Sequence, residues 1–319
     1  MSELRAENRL LPTEGQQFEI IVPGSIANLG PGFDTLAVAV QLYLRLGVTV
    51  VDGSEQVDFA FVDQTLTGEN YIERAFRFLA RQTGVRFPSL KVEVRTEIPM
   101  RAGLGSSAAA TVAGLRLFEA ITGPLPAQAL LNAACYLEGH PDNAAAALLG
   151  GLTASCQLPD GSAYAASFPW PQSLAFVVLT PDMALATAEA RRVLPSHIPR
   201  ADVIFNLQRL ALFLQLLHSG NYGLLKQAMS DRLHQPYRLP LVPGLEAALH
   251  LEHEDLLGVC LSGAGPSIVA VAERNLPAIE TLLANCYEST SISYQIRTLR
   301  AHPTQSGEDQ PSFAGACCA

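Results

Sequence analysis

Charge is scarce in this 319-residue chain, in which Asp, Glu, Lys and Arg together make up 16% of the residues. With 49% hydrophobic residues beside it, that composition excludes a solvated, disordered polymer and fits a globular protein with a large buried core. Basic residues are outnumbered 21 to 30, for a net charge of -9. The field of the whole molecule therefore repels polyanions, which excludes nucleic acid as a partner and requires any phosphate site to be built locally. The six cysteines, Cys135, Cys156, Cys260, Cys286, Cys317 and Cys318, show no C-x-x-C spacing. That excludes a zinc framework or a disulfide scaffold and leaves reduced thiols in a cytoplasm as the expectation. Long apolar runs are missing too: the opening MSELRAENRL is charged where a signal peptide needs an apolar centre, and the run between Arg101 and Arg116 is short and broken by glycine. A cytoplasmic protein with no membrane partner is expected. Neither G-x-x-x-x-G-K-[ST] nor G-x-G-x-x-G occurs, so P-loop and dinucleotide-binding readings fail.

What is present is a strand-rich front and a mixed back. Residues 1–17 and 303–319 are polar or Pro/Gly/Ser-rich without periodicity and read as a loose N-terminus and a disordered tail. Alternating runs predict strands at 18–22, 43–51, 57–62 and 90–94, and helical spacing appears at 69–82, 106–120 and 126–137. The Pro-rich stretch FPWPQ at 168–172 precedes a second set. Its members are the strand SLAFVVL, helices near 186–194, 201–218 and 222–230, strands VCLSG and SIVAVA, a helix at 276–285 and the strand SYQIRTL. Strands and helices in blocks, rather than in strict alternation, predict an α+β fold with domains at 18–165 and 166–302.

Strand LKVEV runs into Pro99, Met100, Arg101, Ala102, Gly103, Leu104, Gly105, Ser106, Ser107, Ala108 and Ala109, and then into an alanine-rich helix. Gly103 and Gly105 permit backbone angles closed to other residues and let main-chain N–H groups come close to a ligand. The serine pair can cap the helix, and its exposed N–H groups and dipole favour an anion by roughly 0.3–1 kcal/mol. By itself G-L-G-S-S is equally an ordinary Ser-capped helix after a glycine turn. The whole run is similar, however, to the P-x-x-x-G-L-G-S-S-A-A phosphate loop of the GHMP kinases.

Further blocks follow in the order of that family. Pro23 to Asp34 resembles the P-x-x-x-A-N-L-G-P-G-F-D signature of its homoserine-phosphorylating branch, departing at Gly24 and Ile26 where Ala and a hydroxyl residue are usual. Leu261 to Ser267 resembles its C-terminal glycine motif, and Glu138-Gly-His140-Pro-Asp142-Asn143 stands where mevalonate and galactose kinases place a catalytic Asp. Thr187 to Pro195 is similar to its T-x-x-A-R-x-x-L-P helix, and Gln235-Pro-Tyr-Arg238 to its second arginine site.

The resemblance implies a two-domain fold, with an N-terminal ATP-binding domain like ribosomal S5 domain 2 and a ferredoxin-like C-terminal GHMP domain. It also implies ATP and Mg2+ as cofactors, transfer of a phosphoryl group to L-homoserine, and a homodimer. By the same resemblance Pro99 to Ala109 hold ATP, Asn70 meets the nucleobase, Ser107 and Glu138 hold the metal, and Asn143 reaches the acceptor hydroxyl. Ser107, Glu138 and Asn143 are then the catalytic set. Asn28, Asp34, His140, Asn143, Thr187, Arg191, Arg238 and Gly263 form the acceptor pocket. Two arginines suit one α-carboxylate, which a guanidinium binds bidentately, and Asp34 with Asn28 suit an ammonium. Other readings stay open for single residues: Asn70 as a helix cap, Glu138 as a solvated acid, His140 and Asp142 as caps. Two rival functions are a mevalonate-type kinase and a non-catalytic nucleotide sensor. The first lacks its Asp here, and the second would be expected to lose Ser107 or Glu138.

Overall fold

The computed structural model describes residues 11–305 except 64, 67 and 289. Its first sheet grows from β1 (Gln17–Ala27), β2 (Leu36–Ser54) and β3 (Val57–Phe61). In β2, Leu42, Leu44, Leu46, Val48 and Val50 are buried while the residues between them are more exposed, the period of two that a one-sided sheet demands. At 36–40 every residue is buried, because β2 is covered on both faces there. β4 (Pro88–Thr96), β5 (Leu152–Gln157) and β6 (Ala163–Phe168) complete the sheet in the order β3-β4-β2-β5-β6, with β1 also paired to β2. Only β3 and β4 run parallel.

Four helices are set among these strands, α1 (Tyr71–Thr83) between β3 and β4, and α2 (Ser106–Thr122), α3 (Ala127–Glu138) and α4 (Asp142–Leu149) between β4 and β5. In α1, Ile72, Ala75, Phe76 and Leu79 recur at helical spacing and are buried in one core with the sheet's Leu46, Val48 and Val92. α4 was not anticipated, because Ala144 to Leu149 are all buried and a helix without a polar face has no period to read.

The second sheet, β10-β7-β9-β8, is antiparallel throughout: β7 (Ala175–Pro181), β8 (Leu256–Leu261), β9 (Ile268–Ala272) and β10 (Tyr294–Leu299). Between β7 and β8 lie α5 (Thr187–Arg192), α6 (Arg200–Ser219) and the short α7 (Leu225–Ala228), α8 (Gln235–Arg238) and α9 (Leu245–Leu249). α10 (Leu276–Asn285) buries Ile279 and Leu283 against Val177, Leu179 and Ile268. Strands and helices do fall in blocks, so the fold is α+β, as the sequence predicts.

Two ends differ from expectation. Gly15 N donates to Val50 O at 2.9 Å and Val50 N to Gln16 O at 3.0 Å, so the last residues of the expected loose N-terminus extend the sheet edge. After β10 the chain returns to the first sheet. His302 N donates to Ala39 O at 2.7 Å, Gly151 N to His302 O at 3.0 Å and Gln305 N to Leu149 O at 2.9 Å. Residues 303–305 of the expected tail are therefore fixed, because backbone groups beside a buried helix end require partners. Residues 1–10 and 306–319 lie outside the described residues. Among the described residues no helix is long and apolar enough to cross a membrane.

Candidate active site

The glycine run closes one wall of a cavity of about 550 Å3. Gly105 stands at the N-cap of α2 in the left-handed region (φ 73°), and an added Cβ would meet Ser25 Oγ at 2.1 Å. Only glycine fits there. No side chain caps α2, so the serine pair does not do what a Ser-Ser start allows. Ser107 Oγ turns away to Glu138 Oε1 at 3.1 Å. The first-turn N–H groups, and the positive end of a 17-residue helix, thus face the cavity without a cap. Met100, Arg101, Ala102, Gly103, Gly105, Ser106, Ser107 and Ala108 line the space. Pro99, Leu104 and Ala109 do not; Leu104 and Ala109 are buried behind the loop they shape.

Glu138, the last residue of α3, has a side chain only 6% exposed. Its Oε1 accepts from Ser107 and, at 2.6 Å, from the buried Thr111 Oγ1, with Arg74 Nη2 3.8 Å away. Glu138 is therefore not a solvated helix-end acid. Asn70 Oδ1 accepts from Ile72 N at 3.1 Å and Glu73 N at 3.3 Å, capping α1, and the same residue also lines the cavity.

The far wall comes from five separate stretches of chain. Asn28 (φ 72°) and Asp34 (φ 52°) hold left-handed backbone, which for residues other than glycine costs of order 1–3 kcal/mol each and is kept only where surroundings enforce it. Asn28 Oδ1 accepts from Asp34 N at 3.1 Å while its Nδ2 donates to Gly263 O at 2.9 Å. Arg191, in the last turn of α5, forks onto Asp34 with Nη1–Oδ2 at 2.9 Å and Nη2–Oδ1 at 2.7 Å. This pair holds the Arg191 pKa above its ordinary value. The expected division of labour, Asp34 for an ammonium and Arg191 for a carboxylate, thus begins from an internal ion pair between the two. Opposite charges facing across an open pocket satisfy each other.

Arg238 is 2% exposed, and its Nη1 donates to Gly263 O at 2.9 Å. Burial, followed by the nearby Arg191 charge, pulls its pKa down to about 10. Thr187, at the start of α5, lines the same space. His140 Nδ1 lies 2.7 Å from Asp142 Oδ1, and that hydrogen bond raises the histidine's pKa. Asp142 Oδ1 also accepts from Asn143 N at 2.7 Å, and Asn143 Oδ1 accepts from Ser25 Oγ at 2.8 Å.

All eight expected acceptor residues thus meet in one cavity with the glycine loop, Glu138 and Asn70. Residues that sequence reasoning missed include Ser25, Thr111, Arg74 and Phe33. The Phe33 ring lies 5.7 Å from the Arg191 guanidinium and 5.3 Å from that of Arg238. Phe33 and Ser25 sit inside a quoted motif and were available as signals; Thr111 hydrogen-bonds Glu138 from 27 positions away and Arg74 pairs with it from 64, with nothing local to mark either.

The family description "GHMP kinases N terminal domain" matches residues 70–151, and "GHMP kinases C terminal" matches residues 213–288. A homoserine kinase of Deinococcus radiodurans is 41% identical over 83% of this chain and 87% of its own. One of Solibacter usitatus is 39% identical over 85% and 90%. The crystal structure of homoserine kinase from Cytophaga hutchinsonii superposes with a TM-score of 0.80 over 93% of this chain and 98% of its own, at 24% identity, a likeness of fold. With a glycine-loop cavity walled by paired arginines and relatives this similar over most of their length, the chain belongs to the GHMP kinase family, within its homoserine kinases.

Proposed function

We propose that this chain transfers the γ-phosphoryl group of ATP to the side-chain hydroxyl of L-homoserine, giving O-phospho-L-homoserine and ADP on the route to threonine. The observation that carries the reading is the Arg191 and Arg238 pair flanking Phe33 in the same cavity as the uncapped N-terminus of α2. One wall attracts phosphate, and the other is built for a small carboxylate beside an acid that can take an ammonium.

Residues Met100 to Gly103 and Gly105 to Ala108 cradle the triphosphate through main-chain N–H groups, and Asn70 borders the base. Ser107 and Glu138 would hold Mg2+. A buried carboxylate with hydroxyl oxygens beside it is a hard-oxygen donor set that such an ion accepts when phosphates and water complete its shell. When bound, the ion neutralises charge on the transferred group. Among the described residues no group of three or more His, Cys, Asp and Glu is placed to hold a metal ion by itself, and the ion would lean on the nucleotide for its remaining ligands.

In the reaction the acceptor oxygen forms a bond to the γ-phosphorus as the bond to the ADP oxygen breaks, and the hydroxyl proton leaves late, to a phosphate oxygen. Asn143, whose amide is oriented by Ser25, positions that hydroxyl; an amide cannot take its proton. Asp142 is committed to His140 and to Asn143 N and acts as support. Catalysis is then positioning and charge neutralisation, as suits a loose phosphoryl-transfer transition state. His140, Thr187 and Gly263 close the acceptor pocket.

The reading includes domains at 18–165 and 166–302, a homodimer and a cytoplasmic setting; light scattering of the purified chain tests the dimer. The function itself is tested by coupled ADP release with homoserine, serine, threonine and mevalonate as acceptors. Homoserine should give the highest kcat/KM, and turnover with mevalonate alone would overturn the reading.

A further inference from the structure

Four residues before Arg238 stands a histidine that no motif marked. His234 is fully buried, and its Nε2 lies 2.9 Å from the Gly30 carbonyl oxygen. A carbonyl only accepts, so Nε2 carries the hydrogen and Nδ1 is left with the lone pair. Arg238 Nη1 donates to that Nδ1 at 3.1 Å. The ring stacks on Phe33 at 5.1 Å. Around it the chain is held tightly. Asp231 accepts from the backbone N–H groups of Leu233, His234 and Gln235 at 2.9, 3.0 and 2.7 Å and from Asn206 Nδ2 at 2.7 Å. On the other side Gly30 has φ 85°, and a Cβ there would meet Met229 O at 2.1 Å, so this approach requires glycine. One imidazole therefore ties the loop that carries Asn28 and Asp34 to the helix that carries Arg238.

The guanidinium of Arg238 has three engaged hydrogen bonds, Nε to Ala190 O and Nη1 to Gly263 O and His234. Among the described residues its Nη2 donates none. We propose that His234 is a positioning residue for acceptor binding: its neutral imidazole accepts from Arg238 Nη1 and fixes the guanidinium plane so that Nη2 meets the acceptor's carboxylate. The proposal rests on the amino-acid-acceptor reading above. A neutral acceptor suits this place because a carboxylate would neutralise the arginine and weaken its pull on an anion, while an imidazolium would repel it. Burial keeps the histidine neutral by lowering its pKa, against the opposing pull of Asp231; Arg238 lowers it further and Asp34 raises it.

The test compares two amides. In His234→Asn the side-chain oxygen can replace Nδ1 toward Arg238 but cannot reach Gly30; in His234→Gln the amide can reach Gly30 but offers nothing at the Nδ1 position. Steady-state kinetics should show His234→Gln with a homoserine KM raised about 10-fold or more, the worth of one charge-assisted hydrogen bond. His234→Asn should stay near wild type, and the ATP KM should stay near wild type in both. The wild-type homoserine KM should also rise on the acid side of the ordinary histidine pKa as the imidazole gains a proton, and this component should vanish in His234→Asn. Equal homoserine KM values in the two variants, or a parallel loss for both substrates that tracks lowered thermal stability, would overturn the proposal with the acceptor reading intact. A wild-type enzyme that releases no ADP with homoserine would overturn both.

Discussion

Arg238 is the residue at which folding and binding make opposing demands. Replacing it with Ala removes its bonds to Ala190 O, His234 Nδ1 and Gly263 O. Because the guanidinium is charged, each is worth about 1.5–3 kcal/mol, so roughly 4–9 kcal/mol is lost to the folded state. Against this, burial draws the Arg238 pKa down to about 10, so the buried charge is itself disfavoured by about 3 kcal/mol, at 1.36 kcal/mol per unit, and the variant is released from that cost. The two contributions partly offset each other. Urea unfolding should therefore show Arg238→Ala destabilised by about 1–6 kcal/mol, less than its lost bonds alone would give. Binding is different, because truncation leaves the acceptor's carboxylate facing a desolvated wall, which costs about 2–5 kcal/mol, or roughly 30- to several-thousand-fold in homoserine kcat/KM. Arg191→Ala should lose acceptor binding to a similar extent. Its effect on stability should be only about 0–1 kcal/mol, since the Arg191–Asp34 pair is about a third exposed and screened. Separate titrations with an ATP analogue and with homoserine check the point. Equal weakening of both ligands in either variant, or of neither, would refute the assignment of these arginines to an amino-acid acceptor.

Glu138→Gln removes the charge of a side chain only 6% exposed at the metal-binding position, so turnover should fall by about 100-fold or more while circular dichroism stays unchanged. Wild-type turnover there would rule out Glu138 as a metal ligand. If positioning rather than proton abstraction dominates, Asp142→Asn should keep far more activity than Asn143→Ala or Ser107→Ala; a folded but equally dead Asp142→Asn enzyme would make Asp142 the base. His140 has its pKa raised in the folded state by its hydrogen bond to Asp142, so its contribution to stability is complete below the unfolded value of 6.5 and is lost as pH rises through the folded value. The thermal midpoint of wild type should accordingly decline more steeply above about pH 6.5 than that of His140→Gln. Parallel pH profiles would show that this hydrogen bond carries no linkage.

Much of this protein was legible locally. The alternation in β2, the helical spacing of Ile72, Phe76 and Leu79, and the glycines at 103 and 105 are short-range patterns, set by a backbone period or by a steric limit at one residue. They determined the α+β class, the phosphate loop and, through the order of the motifs, the family. α4 escaped because a fully buried helix has no polar face, and β5 and β6 because LTASCQ and AYAASF hold too few β-branched or aromatic residues to announce a strand. Pairings across long stretches of chain were decided only by the tertiary structure. Ser25 orients Asn143 across 118 positions, Asp34 pairs with Arg191 across 157, and His234 joins Gly30 across 204. A side chain's local sequence fixes the face it sits on, but its partner depends on which element packs opposite, and here that packing converted a loop, a helix end and a buried imidazole into one acceptor wall.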